Sequence, residues 1–62
     1  MLKDEILSTL RQNVKENGIS MFTFSTDLSR KQLELDALKE LESEGYIQLF
    51  APALGYSLYR IL

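Results

Sequence analysis

The sequence predicts a small α+β domain. Two main helices pack on a small three-stranded antiparallel sheet that ends in a C-terminal β-hairpin. Three observations carry this expectation. Apolar residues recur at helical spacing in two separate stretches. Short β-branched and aromatic runs lie between and after them. Gly and Pro fall between those runs, where turns belong. With 62 residues there is room for one domain, residues 1–62.

Residues 2–16 read as the first helix. Leu2, Ile6, Leu7, Leu10 and Val14 share one arc, with Asp4, Ser8, Arg11 and Lys15 opposite. Asp4 and Glu5 in the first turn suit the helix dipole, and Asn17-Gly18 is a stop signal. Residues 19–24 (ISMFTF) alternate and read as a strand. Ser29 and Gln32 form an S-x-x-Q capping box, and Leu28 and Leu33 have the spacing of a hydrophobic staple. The second helix is therefore expected from Arg30, with Leu33, Ala37, Leu38 and Leu41 inward and Gly45 as its end. Residues 46–50 and 56–62 read as two strands joined by the loop Ala51-Pro52-Ala53-Leu54-Gly55. Leu10, Leu38 and Leu41 are expected at the centre of the core, with Ile47, Leu49 and Ile61 packed against the first helix.

The stretch Leu38-Lys39-Glu40-Leu41-Glu42-Ser43-Glu44-Gly45-Tyr46-Ile47 resembles the end of a recognition helix running into the wing of a winged helix-turn-helix domain. The resemblance extends to residues 19–24 as the first strand and 46–62 as the wing. It is nearest to the small trimmed domains of bacteria and their phages. It implies a winged-helix-like fold and a DNA-binding transcriptional regulator. The family carries a further helix before the recognition helix; here only residues 19–28 are free, so that helix is one turn long or absent.

Composition narrows the chemistry. There is no Cys and no His. Disulfides, thiolate or imidazole metal ligands, and Cys–His or Ser–His–Asp nucleophilic sites are all excluded. The three Gly form no phosphate-cradling motif. No enzyme, metal or cofactor is expected. Glu40, Glu42 and Glu44 are two apart and do not converge on a helix. The longest apolar run, Leu49 to Leu54, is far short of the roughly 20 residues of a membrane span. The start, Met-Leu-Lys-Asp-Glu, has no leader pattern, so a cytoplasmic protein is expected. Burial of apolar surface in so small a domain is worth about 90 kcal/mol at ~25 cal/mol/Å². Ordering 62 residues costs about the same. That balance near zero points to support from association.

The charge pattern yields two candidate sites. Net charge is −2, unusual for a domain that neutralises phosphates. Residues 1–31 carry five cations against four anions, whereas residues 32–45 carry Lys39 against five anions. Ser29, Arg30, Lys31 and Gln32 at the start of the second helix, with Lys39, are the candidate nucleic-acid contacts, Gln32 being the best base reader. The plainer reading of this end is a solvated helix start with Asp27–Lys31 and Arg30–Glu34 as pairs one turn apart. The hairpin lacks the basic tip of a DNA-reading wing. Phe50, Pro52, Leu54, Tyr56 and Tyr59 are the candidate protein interface, with Leu54 its anchor. The alternative function is thus a protein-interaction or assembly module that leaves DNA alone, working as a homodimer or with a protein partner.

Overall fold

A computed structural model describes residues 2–62. The order is α1 (Leu2–Gln12), β1 (Ile19–Thr23), α2 (Leu28–Ser43), β2 (Ile47–Ala53) and β3 (Tyr56–Ile61). The sheet is antiparallel throughout, ordered β1-β3-β2, so the C-terminal strand is the central one. Ile6 and Leu10 of α1, Ala37, Leu38 and Leu41 of α2, and Phe22, Ile47 and Tyr59 of the sheet form one core. The expected centre holds: Leu10, Leu38 and Leu41 are all fully buried. Both helices therefore cover the same face of the sheet.

α1 stops at Gln12, four residues before the expected end. The Lys15 N–H donates to the Ile19 carbonyl at 2.9 Å, and the Gly18 N–H returns to the Lys15 carbonyl at 2.9 Å. This closes a three-residue turn, Glu16-Asn17-Gly18, and the Asn17 side chain accepts the Ile19 N–H. Gly18, at φ +80°, serves that turn and not a helix cap. Val14 consequently leaves the apolar arc and is exposed.

The start of α2 also differs from expectation. Asp27 is the N-cap, its carboxylate accepting the N–H groups of Ser29 and Arg30 at 2.9 and 3.3 Å. A carboxylate placed two residues before Ser29 takes the first free amides, so the helix begins at Leu28 and no capping box forms on Ser29. Leu28 and Leu33 are 80% and 55% exposed, so they make no staple. The inward row is Glu34, Ala37, Leu38 and Leu41, with buried Glu34 in the place foreseen for Leu33. No helix intervenes in residues 24–27, and the family's extra helix is absent here. At the other end Gly45 stands at φ +86° as expected. Its N–H bonds to the Glu42 carbonyl, and the Tyr46 N–H bonds to the Leu41 carbonyl, which satisfies the last turn.

The hairpin is longer and tighter than the sequence suggests. β2 runs on through Pro52 to Ala53, leaving only Leu54-Gly55 as the turn. Pro52 fits because β2 is an edge strand, where its missing N–H breaks no ladder bond. The register shifts by one between Leu49 and Ala51, which makes Phe50 a bulge. Leu49, expected in the core, lies exposed at this edge beside the bulge. Lys3 of α1 joins the helices through Glu44 at 2.9 Å and Glu40 at 3.6 Å. The Glu44 hydrogen bond is the main reason the Lys3 ammonium is held above its ordinary pKa. No helix among the described residues is long and apolar enough to cross a membrane.

Candidate functional site

The first turn of α2 gathers Ser29, Arg30, Lys31 and Gln32 on the surface, as the sequence implies. Lys39 lies on the same outward row as Gln32, seven residues on, or about 10 Å along the axis at ~1.5 Å per residue. The groups are not idle. The Arg30 Nε is 3.6 Å from a Glu34 carboxylate oxygen. The Lys31 ammonium sits 5.6 Å from the centroid of the Phe24 ring. The Gln32 amide donates to Asp36 at 3.0 Å. The amides of Ser29 and Arg30, which an incoming phosphate would use, already bond to the Asp27 carboxylate. An anion of the chain's own thus occupies the helix start.

The hairpin residues divide between the two sides of the sheet. Successive strand residues point to opposite faces. Phe22 and Tyr59 belong to the core, so Ser20, Ser57 and Ile61 share the inner face. Tyr59 is 6% exposed and takes no part in an outer surface. Burial pushes its phenol pKa up, the Glu42 carboxylate adds to that, and the Ser57 hydrogen bond opposes both. By register Pro52, opposite Ser57, also falls on the inner side, although it is exposed at the edge.

The outer face carries Met21, Leu58 and Ala51 in one row across the three strands. Thr23, Tyr56 and Ala53 form the next row. Phe50 joins this side, with the Arg60 guanidinium 5.8 Å from its ring centroid. Leu54, at the turn, is 98% exposed. Phe50, Leu54 and Tyr56 therefore lie on or beside one surface, as the sequence suggests. Met21 and Leu58 enlarge it and were not foreseen; only the strand order brings them together. Arg60, in the neighbouring row with Ile19 and Gln48, is the one charged strand residue on this face.

Glu34 is a further residue whose part the sequence did not reveal. Its carboxylate, buried under α2, accepts the Ser25 N–H at 2.9 Å and so fixes the link between β1 and α2. Among the described residues no three His, Cys, Asp or Glu side chains are placed to hold a metal ion. Comparison with known proteins gave no match: no family model, curated protein or solved structure matches the chain.

Proposed function

We propose that this chain is a protein-interaction module, winged-helix-like in arrangement, that meets its partner with the outer face of the sheet and the hairpin tip. The observation that carries the proposal is Leu54, almost fully exposed beside an apolar surface of Met21, Phe50, Tyr56 and Leu58. Surfaces of this kind, apolar at the centre with aromatic rings and a single Arg, suit protein contacts. The order of helix, strand, helix and hairpin supports the winged-helix arrangement, with α2 as the recognition helix and β2–β3 as the wing. The net charge of −2 and the engaged cations of α2 favour protein over DNA.

The test is site-specific photo-crosslinking in the native cell. A photoreactive residue replacing Leu54 forms a discrete protein adduct, and Phe50→Ala weakens it. The same residue replacing Lys39 forms none. DNA adducts at Lys39, with no protein adduct at Leu54, would overturn the proposal.

One observation favours DNA binding as a second reading. The outward row of α2, with Gln32, Lys39 and Ser43, faces solvent along the helix and no other element covers it. On this reading duplex DNA binds weakly, with Kd no tighter than about 10⁻⁴–10⁻⁶ M, and charge reversal of Arg30 and Lys31 abolishes it.

A further inference from the structure

The two edges of the sheet are finished differently. The Leu62 N–H bonds to the Tyr46 carbonyl, so Leu49, three residues on, directs its own N–H away from β3. That N–H is covered by the Glu42 carboxylate at 3.0 Å. Past the Phe50 bulge the outward position is Pro52, which has no N–H. A charged cover, a bulge and a proline are the devices by which proteins close an edge to further strands.

The edge of β1 has no such cover along most of its length. The Gly18 carbonyl accepts the Ile61 N–H, and the Phe24 N–H donates to the Gly55 carbonyl, both at 3.0 Å. Residues 18, 20, 22 and 24 therefore face β3, and Ile19, Met21 and Thr23 face outward. Ile19 is satisfied locally, through the Asn17 side chain and the Lys15 N–H. Met21 and Thr23 present two N–H and two C=O groups with no partner among the described residues. They border a groove of about 400 Å³ whose far wall is Thr9, Asn13 and Lys15.

We propose that this edge pairs with the β1 strand of a second copy, antiparallel, with Met21 opposite Thr23 of the partner subunit. The twofold axis then passes between the two Phe22 residues, and the two sheets become one of six strands. A second copy satisfies the free groups in full. Two donors and two acceptors, spaced two residues apart, are matched in full by the same set turned through a twofold. The register that sets Met21 against Met21 of the partner subunit fails this match. It would place Thr23 opposite Ile19, whose groups are already bonded. A domain of 62 residues with no Cys also stands to gain from a sheet continued through a second copy. This inference does not rest on the protein-partner reading, since it uses the edge of the sheet and not its outer face.

Sedimentation equilibrium and amide hydrogen exchange, each over a hundredfold range of concentration, test it. The expected result is a doubling of the 7.1 kDa mass at the upper end. With it, the Met21 and Thr23 amides become protected, and both effects disappear on dilution. Thr23→Pro removes one outward N–H without touching the β3 ladder and gives a monomer of unchanged circular dichroism. Exchange on the unmodified chain reads the same contact without any substitution. A monomer at every concentration would overturn the proposal and leave the edge to an extended segment of another protein. A dimer in which both amides exchange freely would overturn it as well, since the contact then lies elsewhere.

Discussion

The carboxylate of Glu34 holds the backbone N–H of Ser25 at 2.9 Å, from a position only 7% exposed. One polar side chain on the inner row of α2 thereby fastens the short link that follows β1. Glu34→Ala leaves the Ser25 N–H without its acceptor and is expected to cost about 1–3 kcal/mol. Glu34→Gln keeps an acceptor oxygen in place and costs less. Urea midpoints for the two variants check the order; equal losses would mean that the charge, and not the hydrogen bond, is what matters.

Asp27→Ala is expected to cost about 0.5–2 kcal/mol, because it removes the cap on Ser29 and Arg30. Ser29→Ala and Gln32→Ala should stay within about 0.5 kcal/mol of the parent. Thermal melts of the three variants separate a cap at Asp27 from one at Ser29.

Leu38→Ala opens a cavity at the centre of the core and is expected to cost about 2–5 kcal/mol. For so small a domain that approaches its whole stability. Leu33→Ala, on the exposed side of α2, should change stability by no more than about 0.5 kcal/mol. Circular dichroism melts of the pair report which face of α2 is inward.

Ser20 is fully buried and its hydroxyl has no hydrogen-bond partner among the described residues. Ser20→Ala removes an unsatisfied polar group and is expected to raise stability by on the order of 1 kcal/mol. A lower urea midpoint for this variant would show that the hydroxyl is satisfied in solution.

Tyr59 makes stability depend on alkaline pH. Its phenol is raised above the ordinary 10.0 in the folded chain, chiefly by burial. The unfolded chain therefore loses this proton first. The stabilisation is complete below pH 10.0 and is lost as pH rises from there through the raised value. Tyr59→Phe removes this part of the decline. Urea midpoints on either side of pH 10.0 for parent and variant measure the difference.

What was legible in the sequence was what neighbouring residues decide among themselves. Leu38, Leu41 and Gly45 announce the end of α2 because periodicity and a left-handed cap are local properties. Val14 misled because the apolar arc continues past the point where the Glu16-Asn17-Gly18 turn draws the chain away. Ser29 and Gln32 imitate a capping box, but Asp27 reaches the free amides first. The outer surface was half legible. Phe50, Leu54 and Tyr56 are close in sequence, whereas Met21 reaches Leu58 only through the pairing of β1 with β3. The buried Glu34 and the open edge of β1 gave no signal, since each depends on what distant segments leave uncovered.

The central place of β3 also sets the order in which the chain can fold during synthesis. β1, α2 and β2 are all synthesised before residues 56–61. Until then neither β1 nor β2 has a strand to lie against, because they bond to β3 and not to each other. The nascent chain holds two unpaired strands, and only its helices have local contacts to draw on. A released chain that ends before Tyr56 lacks the strand on which β1 and β2 both pair, and proteases cut it freely.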